Sequence, residues 1–129
     1  GGIIYPESHY GRDALVGVAL FLSLLAERKI AVSTLRASYP SYFMSKKKIQ
    51  LTPNLDVDNL LDKMKYRYKN QEINDVDGVK IDFEKCWVHL RKSNTEPIIR
   101  VYTEAFSQNE ADSLAKKIIT EIQQEAQQL

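Results

Sequence analysis

Two stretches of helical periodicity enclose several short alternating runs, and this order restricts the fold more than any other feature of the sequence. The first stretch has apolar residues at i, i+3, i+4, i+7 and i+11, namely Val57, Leu60, Leu61, Met64 and Tyr68. The second stretch has a similar apolar stripe, formed by Ala111, Leu114, Ala115, Ile118 and Ile122. Between them, runs around Ile81, Val88 and Val101 alternate apolar and polar residues, which is typical of half-buried strands. A further strand is predicted over 42–51, and another short strand is predicted to begin at Ile73. The pattern predicts an α+β fold: a mostly antiparallel sheet of about four strands with two helices on one face.

Local signals define the ends of these elements. Asn54 or Asp56 could cap the first helix, and Ser107 with Glu110 has the spacing of a capping box before the second. The run Asp75-Val76-Asp77-Gly78 has the composition of a hairpin turn. These signals agree with the periodicity and predict a domain over residues 41–129.

The first 40 residues have a different character. From Ala14 to Ala26 no residue is charged, and the apolar side chains surround the whole helix. Such a helix needs partners on most sides, yet it is shorter than the roughly 20 residues of a membrane span. Ser33 is a candidate cap for a second short helix that ends before Pro40. We interpret residues 1–40 as helices left from a truncated α/β domain, with a membrane-associated or oligomerising helix as the alternative.

Composition excludes several function classes. Hydrophobic residues make up 43% and charged residues 27% of the chain, as in folded proteins and unlike disordered tails. The 18 Lys and Arg balance 17 Asp and Glu, so the chain offers no general electrostatic footprint for nucleic acid. Basic residues do cluster around Lys46-Lys47-Lys48 and from Lys63 to Lys69. Such clusters are more often the solvent-exposed face of a strand or helix than a nucleic-acid-binding patch. One Cys and two His form neither a disulfide framework nor a zinc pattern.

The segment from Arg91 to Arg100, RKSNTEPIIR, contains the groups that phosphate recognition requires. Arginines provide planar donor forks, Ser93 and Thr95 provide hydroxyls, and Asn94 provides an amide and tolerates left-handed backbone. Strand alternation directs both Arg91 and Arg100 outward, so a hairpin would place them at the mouth of the loop. A solvated turn of the same composition is the alternative.

This loop resembles the phosphate-binding loop in the C-terminal domain of α-D-phosphohexomutases, the family of phosphoglucomutases, phosphomannomutases and phosphoglucosamine mutases. The shared pattern is Arg-x-Ser-Asn-Thr-Glu-Pro followed by a second Arg, before a strand and a terminal helix. Residues 1–14 resemble the end of the family's third domain, in a form nearer to prokaryotic phosphoglucosamine and general hexose mutases. The resemblance implies a remnant of domain three over 1–40 and a TATA-box-binding-protein-like phosphate-binding domain over 41–129.

The resemblance also implies a function. The family's complete enzymes are isomerases that move a phosphoryl group between the 1- and 6-positions of a hexose or hexosamine phosphate, through a hexose bisphosphate and with Mg²⁺. The family's phosphoserine and metal ligands have no counterpart in this chain, so no catalytic residue and no metal ligand is expected here. What carries over is a clamp for the phosphate that is not transferred: Arg91, Ser93, Asn94, Thr95 and Arg100. The implied partners are the sugar phosphate and the N-terminal domains, not nucleic acid or a membrane, and the implied compartment is the cytoplasm.

Two other functions remain open on the sequence alone, a stand-alone anion-binding module and a nucleic-acid-binding α+β module.

Three residues of potentially reactive types have simpler interpretations. His9 suits a structural or surface position, His89 suits a packing neighbour of Trp87, and Cys86 suits a small buried apolar residue.

The predicted boundary near Ser38–Ser41 can be tested by truncation. A protein that begins at Ser41 is expected to fold cooperatively and to be more soluble than the full chain, because the all-round apolar segment is removed. Circular dichroism and thermal unfolding of the two proteins check this. Loss of cooperative unfolding on truncation would mean that the boundary is placed wrongly.

Overall fold

The computed structural model describes residues 2–52 and 55–127. The chain divides into two compact units, residues 1–40 and residues 41–129.

The first unit contains helix α1, Ala14–Arg28, and helix α2, Val32–Ala37. Asp13 caps α1: its Oδ1 accepts hydrogen bonds from the backbone N–H groups of Leu15 at 2.9 Å and Val16 at 3.1 Å. These bonds, led by that of Val16, lower the pKa of Asp13. No residue of α1 is buried. None of the described helices combines the length and apolar character that crossing a membrane requires.

The predicted cap of the second short helix is wrong. Helix α2 begins at Val32, so Ser33 lies inside its first turn. Its N-cap is Ala31, which makes no side-chain capping bond. Because an alanine cap leaves the first N–H groups without a side-chain acceptor, this six-residue helix starts without the stabilisation that Asp13 gives to α1.

The second unit has the predicted α+β architecture. Its strands form one antiparallel sheet in the order β1-β5-β4-β3-β2. The sheet has five strands where about four were predicted, and the short strand predicted to begin at Ile73 is confirmed as the three-residue β2. In chain order the elements are β1 Phe43–Gln50, α3 Val57–Arg67, β2 Glu72–Asn74, β3 Val79–Asp82, β4 Trp87–Lys92, β5 Ile98–Ala105 and α4 Gln108–Ala126.

Both helices of this unit cover the same face of the sheet, and the core lies between them and the strands. The alternating residues of β3, β4 and β5 supply one side of that core, as predicted. The buried cluster comprises Ile49, Leu51, Leu60, Leu61, Met64, Val79, Ile81, Val88, Leu90, Ile99, Val101, Ile118 and Ile122. The opposite face of the sheet is open, and the outward residues of β4 and β5 lie on it.

The helix caps follow the sequence signals closely. Oδ1 of Asp56 accepts the N–H of Asn59 at 3.0 Å and so caps α3, while the alternative cap Asn54 lies outside the described residues. Oγ of Ser107 accepts the N–H of Glu110 at 3.2 Å, which is the first half of the capping box. The Glu110 carboxylate accepts from the Ser107 hydroxyl at 2.9 Å, whereas in a complete capping box it would accept from the Ser107 backbone N–H.

The hairpin turn between β2 and β3 requires its glycine. Gly78 has φ +77°, and a Cβ built there would collide with the carbonyl oxygen of Leu90 on β4. The turn is fixed further by Asn74, whose Oδ1 accepts the N–H of Val76 at 3.1 Å. Gly78 thus permits the turn to lie directly against the end of β4.

Replacing Gly78 by alanine is expected to destabilise the protein by about 1–3 kcal/mol or more, because the added methyl group meets backbone in a left-handed conformation. Denaturant unfolding measures the loss. Val76→Ala in the same turn is the matched control, since Val76 is 91% exposed and its truncation should change stability little. Equal stabilities of the two variants would contradict the close approach of the turn to β4.

Candidate anion-binding site

Two arginines lie directly opposite each other where β4 and β5 meet the loop. The antiparallel register pairs Arg91 with Arg100, and the neighbouring pair Leu90 and Val101 faces the core. Both arginines are exposed on the open face. The structure therefore brings together the two guanidinium groups that the alternation predicted at the mouth of the loop. Like charges directly opposite on paired strands are destabilising, so this pairing is favoured by a negative charge close to it.

The five-residue loop between these strands, residues 93–97, brings its hydroxyl groups side by side. Oγ of Ser93 lies 3.3 Å from Oγ1 of Thr95 and also accepts the N–H of Thr95 at 3.4 Å. The ends are closed by backbone bonds: the N–H of Ser93 donates to the oxygen of Ile98 at 3.0 Å, and that of Ile98 donates to Glu96 at 2.8 Å. The hydroxyls are thus presented from a loop with a defined backbone.

Asn94 is exposed at the tip of the loop. Its tolerance of left-handed backbone is not used, because Lys29 is the one non-glycine residue with positive φ among the residues that the structure describes. Asn94 therefore offers its side-chain amide and its backbone N–H without an αL conformation.

The loop and both arginines line a shallow cavity of about 190 Å³, formed by Arg91, Lys92, Ser93, Asn94, Thr95 and Arg100. Pockets for drug-sized ligands measure roughly 300–1,000 Å³. The cavity is smaller than that range, so its size suits one anionic group rather than a whole sugar phosphate.

Carboxylates approach the loop from the β3 side. Oδ1 of Asp77, in the β2–β3 turn, lies 3.2 Å from Nε of Arg91. Nζ of Lys92 donates to both oxygens of Asp58, in the first turn of α3, at 2.6 and 2.7 Å. An ion pair through Nε leaves the terminal nitrogens of Arg91 as donors for an anion. On this side the loop's cations are already partly neutralised.

The acidic groups beside the loop are paired with cations. Lys65 lies 3.0 Å from Asp75 and 3.2 Å from Asp62, and the hydrogen bond with Asp75 lowers the pKa of that carboxyl and raises the pKa of Lys65. Across residues 2–52 and 55–127, no group of three or more His, Cys, Asp or Glu side chains is placed to hold a metal ion.

The β1 side of the loop is different. Neither Arg100 nor its cross-strand partner Lys48 has a carboxylate within ion-pairing distance in the part of the chain that the structure describes. The two lie opposite each other, so the cationic row continues from β4 through β5 to β1. The sequence pattern led us to interpret the three lysines of β1 as one solvated group, and this row was missed.

The lysines of β1 are in fact divided between the two faces of the sheet. Lys47 pairs in register with the core residue Val101 and lies 3.7 Å from Asp112 of α4, on the helix side. Lys48 pairs with Arg100 on the open face. Alternation within β1 separates Lys47 from Lys48, but only the register between β1 and β5 shows which of them adjoins the loop.

The other basic residues do not form a single patch with them. Along α3, Lys63 and Arg67 approach Glu125, and Lys65 approaches Asp62 and Asp75. Because their charges face carboxylates, these residues offer little free positive surface for a nucleic-acid backbone.

The three candidate reactive residues have structural surroundings. Nε2 of His89 lies 2.6 Å from the carbonyl oxygen of Asp77 and donates to it, which ties the β2–β3 turn to β4. His9 lies 3.0 Å from Asp13, and its Nδ1 accepts the N–H of Gly11. Cys86 is half-buried rather than fully buried as expected. This partial burial, with nearby Glu110, raises the pKa of its thiol, so the thiolate is disfavoured.

Comparisons with known proteins agree on one family. The model of the phosphoglucomutase/phosphomannomutase C-terminal domain matches residues 53–121. The chain is 37% identical over 120 residues to a phosphoglucosamine/phosphogalactosamine mutase of Sulfurisphaera tokodaii, covering 92% of this chain and 26% of that protein. It is 34% identical over 116 residues to a phosphoglucomutase/phosphomannomutase of Thermococcus kodakarensis, covering 86% of this chain and 24% of that protein.

Solved structures show the same fold. A phosphoglucomutase/phosphomannomutase family protein from Burkholderia thailandensis superimposes with a TM-score of 0.62 at 24% identity, over 93% of this chain and 27% of that one. Aspergillus fumigatus N-acetylphosphoglucosamine mutase, solved with GlcNAc-6P and magnesium, gives 0.53 at 21% identity, over 91% of this chain and 22% of that one.

The chain spans about a quarter of the length of the curated relatives it matches, 26% in the case of the Sulfurisphaera protein. The matched region of the family model contains the whole arginine-flanked loop and most of the sheet and α4. The chain belongs to the phosphoglucomutase/phosphomannomutase family, and it carries that family's C-terminal domain.

Proposed function

We propose that this chain is the C-terminal part of a phosphosugar mutase and that its 93–97 loop, with Arg91 and Arg100, clamps the non-transferring phosphate of the substrate. The whole enzyme would interconvert hexose or hexosamine 1-phosphate and 6-phosphate. In this assignment Ser93, Asn94 and Thr95 donate hydrogen bonds to phosphate oxygens, and the arginines supply charge. A clamp of this kind acts by positioning, because the far end of a fixed sugar meets the phosphoryl donor in one orientation.

The observation that carries the proposal is the cross-strand pairing of Arg91 with Arg100 at the mouth of a hydroxyl-bearing loop. Two guanidinium groups in register repel each other, and an anion between them converts that repulsion into two attractions. The cavity between them has the size of one anionic group.

The remaining parts of the reaction are proposed to lie in domains upstream of this chain. The Aspergillus structure contains GlcNAc-6P and magnesium, which supports a Mg²⁺-dependent complete enzyme. A hexose bisphosphate intermediate is part of the same proposal. Residues 1–40 would then be the end of the preceding α/β domain. The exposed apolar surface of α1 supports this, since such a helix requires covering partners. We place the enzyme in the cytoplasm, where sugar phosphates are available.

The isolated chain is expected to have no mutase activity, because the phosphoryl donor and metal ligands are assigned to other domains. A coupled assay with glucose 1-phosphate and a bisphosphate activator tests this. Turnover that follows the protein through every purification step would contradict the assignment.

In the complete enzyme, Arg91→Ala is expected to raise KM and lower kcat, with a combined loss of about 10- to 150-fold in kcat/KM. This is the effect of one hydrogen bond to a charged group, roughly 1.5–3 kcal/mol. Ser93→Ala and Thr95→Ala each remove one neutral donor and should lose roughly 2- to 10-fold. Steady-state kinetics of the purified variants measure these losses.

Lys47→Ala is the matched control for these variants. It also removes a cation near the loop, but from the helix side of the sheet, where Lys47 faces Asp112. Its kinetic constants should stay close to those of the unchanged enzyme. A large defect for Lys47→Ala beside normal constants for Arg91→Ala would mean that the phosphate binds elsewhere.

A further inference from the structure

We propose that Lys48 of β1 belongs to the phosphate site, as the third cation of a row that runs Arg91, Arg100, Lys48 across three neighbouring strands. The inference rests on the proposed function of the 93–97 loop and extends that site by one strand. It assigns a ligand-binding role to a residue outside the loop.

Strand register is the first observation. Arg91 of β4 lies opposite Arg100 of β5, and Arg100 lies opposite Lys48 of β1. Directly opposed residues project from the same face, so all three side chains lie on the open face of the sheet. Neighbouring strands are about 4.8 Å apart, which allows these long side chains to converge on one anion above Arg100.

Charge balance is the second observation. Arg91 has Asp77 beside it, whereas Arg100 and Lys48 have no salt-bridge partner among residues 2–52 and 55–127. On the β1 side of the loop, the carboxylate of Glu96 lines the same open groove as Lys48 and Arg100. It forms no ion pair with any described residue. Arg100 and Lys48 thus carry two positive charges without a salt-bridge partner among the described residues, and Glu96 is the one carboxylate that lines their groove.

The neighbouring lysines are distinguishable from Lys48. Nζ of Lys46 lies 5.9 Å from the centroid of the Tyr102 ring, which gives it a cation–π partner farther from the loop. Lys47 lies on the opposite face beside Asp112. Of the three consecutive lysines, only Lys48 is in register with an arginine of the candidate clamp.

The chemistry of the pair suits a phosphate monoester. The planar guanidinium group of Arg100 can donate to two phosphate oxygens at once. The ammonium group of Lys48, on its flexible side chain, can donate to a third oxygen. The anion would reach the row from the β1 side, because the carboxylates of Asp77 and Asp58 stand on the other side of the loop. Lys48 would therefore contact the oxygens that face away from Arg91.

The test is a titration of the 129-residue chain with inorganic phosphate at low ionic strength, followed by backbone amide NMR, for wild type and for Lys48→Gln, Lys48→Arg, Lys47→Ala and Arg91→Ala. Lys48→Gln should weaken phosphate binding about fivefold, the factor for one hydrated contact between unit charges about 4 Å apart. Lys48→Arg should restore most of the affinity, and Lys47→Ala should stay within about twofold of wild type.

Thermal unfolding separates ligand binding from a structural role. Lys48→Gln removes a like charge opposite Arg100, so its unfolding temperature at low salt should equal or exceed that of wild type. A lowered unfolding temperature together with weaker binding would overturn the inference, because Lys48 would then act through the fold.

The two proposals fail differently. If Lys48→Gln binds phosphate like Lys47→Ala while Arg91→Ala loses binding, the clamp stands and the role of Lys48 is overturned. If wild type binds no phosphate, or if Arg91→Ala binds it unchanged, the proposed function of the loop is overturned and the inference falls with it.

Discussion

The pairing of β4 with β5 is the interaction on which the candidate site depends. It places Val88 and Leu90 in the core beside Ile99 and Val101, and the same register sets Arg91 opposite Arg100 on the other face. Burial of the apolar side fixes the register, because a slip by one residue would exchange the two faces. Burial of the apolar core residues thus stabilises a register that holds two like charges close together. The short loop between the strands places its hydroxyl groups beside these two arginines.

The electrostatics of the loop are asymmetric, and the asymmetry follows from the topology. The β2–β3 turn and the first turn of α3 bring Asp77 and Asp58 to Arg91 and Lys92. On the other side β1 brings Lys48 to Arg100 and no paired carboxylate among the described residues. A surface of this kind directs an anion to one side of the loop. In the complete enzyme, closure by other domains would remove water and strengthen each contact.

Much of this architecture could be predicted from the sequence because the determining signals are local. Periodicity located both helices of the second unit, alternation gave the faces of β4 and β5, and Asp56 and Ser107 cap where their spacing indicates. The start of α2 was misassigned, because its N-cap Ala31 makes no side-chain capping bond that the sequence could signal. The cationic row was missed because Lys48 and Arg100 are 52 positions apart, and only the long-range register between β1 and β5 brings them together.

The central claim is that the 93–97 loop recognises the phosphate of a sugar phosphate, and a backbone amide NMR map of the chain tests it most directly. Glucosamine 6-phosphate is added to one sample and glucosamine to another. The account predicts that the amides of Ser93, Asn94 and Thr95 shift most with the phosphorylated sugar and stay unchanged with the free sugar. Equal shifts with both sugars, or the largest shifts on α3 between Lys63 and Arg67, would contradict it.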